Sequence, residues 1–121
     1  MPSTDIPAEE QPHIDAIARA VILGFEQIPL FHMDVLFYRR RLDSAIETIS
    51  IRAIDEAIAA RWNAHEYVRR GDRSAAPVWQ QHGMVADVIE ELLELAAPGA
   101  PGAPTLGLRP SSSLVLPGCG L

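Results

Sequence analysis

The side chains best suited to acid–base or metal chemistry are the histidines and a group of glutamates near the end of the last predicted helix. Glu90 and Glu94 share one helix face, and His82 lies two turns earlier on the same predicted helix. A metal site needs three or four converging ligands, which a bundle draws from several helices. We therefore expect no metal and no cofactor. A small helical metal-binding or enzymatic bundle that uses these residues with His65 is an alternative.

Catalytic constellations are also missing from the sequence. His65 and Glu66 are neighbours, and neighbouring helical residues point about 100° apart, so they do not cooperate directly. The sequence contains no glycine-rich phosphate loop after a strand, no nucleophile elbow, no Cys–His pair and no zinc-ligand spacing. The sequence therefore predicts a protein that is not an enzyme.

Composition and charge limit the partners. The chain has 121 residues, is 48% hydrophobic and carries a formal net charge of −6, which disfavours nucleic acid as a ligand. All ten basic residues are arginine, which indicates a GC-rich bacterial or phage genome. The N-terminal residues are polar and acidic and do not resemble a secretion signal, and the apolar run 20–25 is too short to span a bilayer. We expect a cytoplasmic protein without membrane contact.

The one local concentration of positive charge is Arg39-Arg40-Arg41. On a helix, three consecutive residues point in three directions and cannot form one patch. The prediction is therefore a solvated surface with ion pairs, and a contact with a partner is the alternative.

Helical spacing dominates the pattern of apolar residues. The first predicted helix starts near Pro12, continues through Ile14, Ile17, Ala18, Val21, Ile22 and Phe25, and ends before Pro29. Residues 34–70 contain no proline or glycine, and their apolar residues advance by three or four, which permits one long helix. A break near 48–51 is the alternative. A lone strand at 48–52 is disfavoured because it could not satisfy its own backbone.

A last helix is predicted from about residues 74–77 to 97, after a helix end at Gly71. Its apolar stripe comprises Val78, His82, Val85, Val88 or Ile89, Leu92 and Leu93. The predicted fold is all-α, a three- to four-helix bundle with one long central helix and a non-helical C-terminal tail. The predicted divisions are a frayed lead-in at 1–11, a helical domain at 12–97 and a Pro/Gly-rich extended tail at 98–121.

The tail has two apolar islands, Leu106–Leu108 and Leu114-Val115-Leu116. Ten of its 24 residues are proline or glycine, which favours extended or disordered chain over helix. A purely inert linker would not need the islands. We expect the two apolar islands to dock on the helical domain or to enter a groove on a partner protein.

The layout of acidic helical body, Pro/Gly spacer and short apolar end resembles precursors of ribosomally made, enzyme-modified peptides. Within that class, Gln81-His82-Gly83-Met84 followed by a helix is similar to a His-Gly-Leu step in the helical binding domain of split borosin precursors. A separate methyltransferase N-methylates the backbone amides of those peptides. The resemblance implies that 111–121 is the modified region, with Ser111, Ser112, Ser113 and Cys119 as candidate modified residues.

Two tryptophans, Trp62 and Trp79, are expected in the core or at a partner-binding groove. The undersized core, the lack of a catalytic constellation and the apolar islands together predict a non-catalytic protein-interaction module, such as an adaptor, accessory subunit or regulatory binder. The candidate binding residues are Trp62, Trp79, Leu114, Val115 and Leu116. The expected partner is another protein or a second copy of the chain, and a precursor peptide whose leader binds its modifying enzyme is the alternative.

Overall fold

The structure, a computed structural model, describes residues 7–31 and 33–105 and has an α/β fold built on one antiparallel sheet. Five strands lie side by side in the order in which they occur along the chain. The elements are α1 (Gln11–Ile22), β1 (Glu26–Gln27), β2 (Leu36–Leu42), β3 (Ala45–Ala53), β4 (Glu56–Asn63), α2 (Ala64–Ser74), β5 (Trp79–Gly83) and α3 (Val85–Leu93). The prediction of an all-α helical bundle is therefore wrong.

The predicted long helix at 34–70 is replaced by β2, β3, β4 and the first part of α2. Tight turns at 43–44 and 54–55 join the three strands. The helical spacing was misleading because the sheet is covered on both sides. Strand β3 is buried on both faces from Ala45 to Ile49, and this part includes the polar residues Glu47 and Thr48, so alternation does not extend along the whole strand. Apolar residues three or four positions apart can then occur along two paired strands by coincidence, without forming a helix.

The absence of glycine also concealed the first turn. Asp43 occupies the left-handed region with φ 52°, a conformation that aspartate tolerates better than most residues. The objection to a strand near 48–52 fails as well, because β3 pairs with β2 on one side and with β4 on the other. Its backbone groups are satisfied by two neighbours rather than by itself.

The last predicted helix is also shorter than expected. Trp79–Gly83 forms the edge strand β5, and α3 begins only at Val85. Gly71 lies within α2 and does not end a helix. Within α3 the predicted stripe is buried, since Val85, Val88, Ile89 and Leu92 are all in the core.

Two layers of helix cover the sheet. We call the side that carries α1 and α3 the inner face and the side that carries α2 the outer face. The inner core contains Ala16, Ala20, Phe25, Tyr38, Ile49, Ile51, Ala57, Ala59, Val85, Ala86, Val88, Ile89 and Leu92. Helix α1 contributes a different side from the predicted one: Ala16 and Ala20 are buried, whereas Ile14, Val21 and Ile22 are exposed.

A buried histidine joins the two inner-face helices. The Ala86 N–H at the start of α3 donates a hydrogen bond to His13 Nδ1 in α1, with an N···N distance of 3.0 Å. Met84, the N-cap of α3, provides no side-chain cap of its own. His13 therefore satisfies one of the backbone donors that every helix leaves unpaired at its N-terminus.

Substituting His13 with alanine should lower the free energy of unfolding by about 1–3 kcal/mol, because the buried Ala86 N–H loses its acceptor. Urea unfolding followed by circular dichroism measures this change. His65→Ala is the matched control, since His65 is exposed and its loss should change stability by less than about 0.5 kcal/mol. Equal effects of the two substitutions would contradict the assigned role.

Candidate functional site

Strand register divides the arginine run between the two faces of the sheet. In β2, Arg39 and Arg41 lie on the outer face, in rows with Thr48 and Ile46 of β3. Arg40 lies on the inner face, opposite Glu47. Side chains alternate along a strand, so residues two apart share a face. The prediction that these arginines cannot form one patch is therefore wrong for Arg39 and Arg41, because it assumed a helix.

On the inner face, three charged residues form a single cross-strand row. Arg40, Glu47 and Arg61 are directly opposite one another on β2, β3 and β4. Arg40 Nε lies 2.8 Å from Glu47 Oε1, while Arg61 Nε and Nη2 lie 2.8 and 2.7 Å from Glu47 Oε2. The Glu47 side chain is 0% exposed and that of Arg61 is 2% exposed. A carboxylate with both oxygens occupied by guanidinium donors meets the requirement for a buried charge.

The same arginines also hold two chain segments against the sheet. Arg40 Nη1 donates to the Leu23 carbonyl, at the C-cap of α1, over 2.8 Å. Arg61 Nη1 donates to the Ala96 carbonyl, beyond the end of α3, over 2.6 Å. Arg40 also lies over the ring of Phe25, with 4.7 Å between Cζ and the ring centroid. This row therefore has a structural role, with a formal charge of +1 from two arginines and one glutamate.

On the outer face, a smaller core attaches α2 to the sheet. Trp62 Nε1 donates to Thr48 Oγ1 over 3.0 Å, and the Trp62 and Tyr67 rings are 5.3 Å apart at 59°. Ile46, Ala60, Trp62, Ala64 and Ala75 are its buried members. Trp62 is thus buried under α2, and Trp79, on β5, is half-buried against the inner core. Their predicted contact with a partner stays a prediction.

A cavity of about 600 Å³ opens beside this small core, and we call it the arginine cleft. Its lining residues are Gly24, Glu26, Arg39, Arg40, Arg41, Ile46, Tyr67 and Val68. Val68 is 71% exposed, and Tyr67 is half-buried, so α2 contributes an accessible apolar wall. The opposite wall is β2, which contributes the charged side chains.

The cleft has an excess of positive charge. Arg39 and Arg41 are both exposed, and neither makes an ion pair within the part of the chain that the structure describes. Arg41 Nε makes one long hydrogen bond, 3.4 Å, to the Asp43 carbonyl. Among the described lining residues, Glu26 is the one carboxylate. Guanidinium groups in such a setting favour a carboxylate ligand that can accept two parallel hydrogen bonds.

Comparisons with protein-family models, with curated proteins and with solved structures found no match. The arrangement of the site is therefore the basis for the functional argument.

The residues of the predicted metal alternative are far apart in the fold. His82 lies on the outer face, opposite Ile58, while Glu90 belongs to α3 on the inner face and pairs with Arg19 at 3.3 Å. Residues 7–31 and 33–105 contain no group of three or more His, Cys, Asp or Glu side chains that could hold a metal ion. Within the same ranges, no helix has the length and hydropathy needed to cross a membrane.

Several predicted residues lie outside the described ranges. These are the candidate binding residues Leu114, Val115 and Leu116 and the candidate modified residues Ser111, Ser112, Ser113 and Cys119. The quoted Gln81-His82-Gly83-Met84 step lies at the junction of β5 and α3. The precursor-peptide hypothesis remains a prediction, and an intact mass measured after co-expression with neighbouring genes would test it.

Sequence reasoning did not find Glu26, Glu47, Arg61 or Val68. The signal that could have located the site is the position of Arg39-Arg40-Arg41 shortly before Asp43-Ser44, two residue types that are common in turns. Read as a strand, that segment places two arginines on one face.

Proposed function

We propose that this protein is a non-catalytic interaction module that binds an extended, acid-bearing peptide segment of a partner protein in the arginine cleft. The observation that carries the proposal is the pairing of an accessible apolar wall, Tyr67 and Val68, with Arg39 and Arg41, which make no ion pair with any described residue. A cleft of about 600 Å³ is within the usual range for a ligand site.

The spacing of the two arginines supports an extended ligand. Arg39 and Arg41 are two residues apart on one strand, so their Cα atoms are separated by about 6.8 Å. Alternate side chains of an extended peptide have the same spacing. A segment with acids at every second position can therefore present one carboxylate to each arginine.

Apolar side chains at the intervening positions would complete the match. In an extended segment, successive side chains point to opposite sides, so acids facing β2 leave the other side chains facing α2. That wall is formed by Tyr67 and Val68, with Ile46 on the neighbouring strand. Partner specificity then comes from charge on one side and apolar burial on the other.

A titration with synthetic peptides tests the proposal. The acidic probe is a short fluorescent peptide that alternates glutamate with leucine, and the neutral probe carries glutamine at every glutamate position. We expect the acidic probe to bind about tenfold more tightly, because charge-assisted hydrogen bonds exceed neutral ones by roughly 1–2 kcal/mol. Its affinity should also fall as salt is added.

Two results would count against the proposal. Equal affinity for the acidic and neutral probes would show that the arginines do not select carboxylates. Binding of the acidic probe that shifts the amide signals of Ile14 and Ile22, instead of those of Ile46 and Val68, would assign the ligand to the exposed flank of α1.

A further inference from the structure

We propose that the chain's own tail, through the apolar island Leu114-Val115-Leu116, occupies the arginine cleft and competes there with a partner segment. The docking of the tail does not depend on the function proposed above, whereas the competition rests on it. The tail would then act as an internal competitor that an acidic partner displaces.

The described part of the tail already lies against the body near the cleft. Pro98, Gly99, Pro104 and Thr105 line a cavity of about 170 Å³ together with Ser44 and Asn63, among other residues of the body. Thr105 is the last described residue. The rest of the tail therefore starts beside the β2–β3 turn and the end of β4.

A continuous series of cavities leads from that point to the cleft. The next cavity, about 340 Å³, is also lined by Ser44 and Asn63 and extends to Arg41 and Val68. The arginine cleft shares Arg41 and Val68 with it. A segment that leaves Thr105 and follows this series along α2 reaches the cleft without crossing the sheet.

The length of the tail suits this path. Leu114 is the ninth residue after Thr105, and an extended chain of nine residues spans up to about 30 Å. The proline and glycine residues in between favour an extended conformation over a helix. The island therefore arrives as an extended apolar segment, the form that the cleft is proposed to bind.

The composition of the tail makes it a weak occupant. Residues 106–116 contain no acid and one positive charge, Arg109, so they can cover Ile46, Tyr67 and Val68 but cannot pair with Arg39 or Arg41. A partner segment with carboxylates gains those pairs and also covers the wall. If the tail occupies the cleft in about nine molecules of ten, the apparent Kd of the partner segment is weakened about tenfold.

The single cysteine allows docking to be measured in the full chain. Cys119 lies three residues after Leu116, so a nitroxide attached to its thiol reports the position of the island. We expect the amide signals of Ile46, Tyr67 and Val68 to lose most of their intensity through paramagnetic broadening. Signals of Asp55 and His82, which line a separate cavity at the other end of the sheet, should keep theirs. Replacement of all three island residues by serine (L114S, V115S and L116S) should restore the cleft signals.

Competition is measured with the acidic probe. The serine-substituted chain should bind it about tenfold more tightly than the unaltered chain, and the probe should reverse the broadening in the labelled chain. Cleft signals that stay intense beside the nitroxide, or broadening that survives the serine substitutions, would overturn the docking of the tail. Broadening at the cleft together with a probe that does not bind would support the docking and contradict the proposed function instead.

Discussion

Replacing Glu47 with alanine should lower the free energy of unfolding by about 3–5 kcal/mol, the largest effect expected of any single substitution in this chain. Glu47 is fully buried and is the carboxylate that pairs with both Arg40 and Arg61. Its removal leaves two guanidinium groups close together without a counter-charge, one of them 2% exposed. Desolvated cations without a partner are among the most costly features a fold can contain.

Urea unfolding monitored by the two tryptophans measures this loss. Glu56→Ala is the matched control, because Glu56 is an exposed residue at the start of β4, and its removal should change stability by less than about 0.5 kcal/mol. Hydrogen exchange adds a second measurement: Glu47→Ala should reduce protection in β3 and in the last turn of α1 together. Similar stability of the Glu47 and Glu56 variants would contradict the structural role of the charged row.

Reversing the charge of both outer-face arginines, R39E with R41E, should weaken binding of the acidic probe about 100-fold, or roughly 3 kcal/mol. Two attractive contacts become repulsive, because the new carboxylates face those of the peptide. The fold should persist, since Arg39 and Arg41 are exposed and lie outside the buried charged row. Thermal unfolding of the variant checks this point.

The double variant R19E with R52E is the matched control for net charge. Arg52 is exposed and lines a different cavity, and Arg19 makes an exposed ion pair with Glu90 that contributes little to stability. This control should bind the acidic probe within about twofold of the unaltered chain, because neither side chain lies in the cleft. A loss as large as that of the cleft variant would show that overall charge, and not the site, controls binding.

Parts of the fold could be predicted because their signals are local. Pro12 lies in the first turn of α1, as expected for a residue that lacks a backbone donor. The stripe Val85, Val88, Ile89 and Leu92 is buried in α3 as predicted. Helix α3 packs one side against the sheet and α1, so its apolar spacing reflects a single buried face.

The sheet could not be recognised by the same reasoning. Its central strand β3 contacts helices on both faces, and its buried residues include Thr48 and Glu47 beside Ile46 and Ile49. Burial on two sides limits the alternation that marks a strand to the second half of β3, and the polar residues of the first half suggest a helix surface. Only the paired strands give each polar side chain its partner: Trp62 for Thr48, and two arginines for Glu47.

The site was missed for a related reason. On a helix, Arg39, Arg40 and Arg41 point three ways, whereas on β2 the first and third share the outer face with Ile46. The apolar wall comes from α2, which begins more than twenty residues later in the chain. No local pattern links residues 39–41 to Tyr67 and Val68; their proximity follows from the order of the strands and the return of the chain over the outer face.

The most direct test of the central claim, that the arginine cleft binds an acid-bearing extended segment, is a charge-swap titration. The chain that carries R39E and R41E is titrated with a lysine probe, in which lysine replaces each glutamate of the acidic probe. We predict that this pair binds with an affinity close to that of the unaltered chain for the acidic probe, while the two mismatched pairs bind about 100-fold more weakly. Weak binding of the swapped pair, with the acidic probe still bound by the reversed chain, would contradict the account.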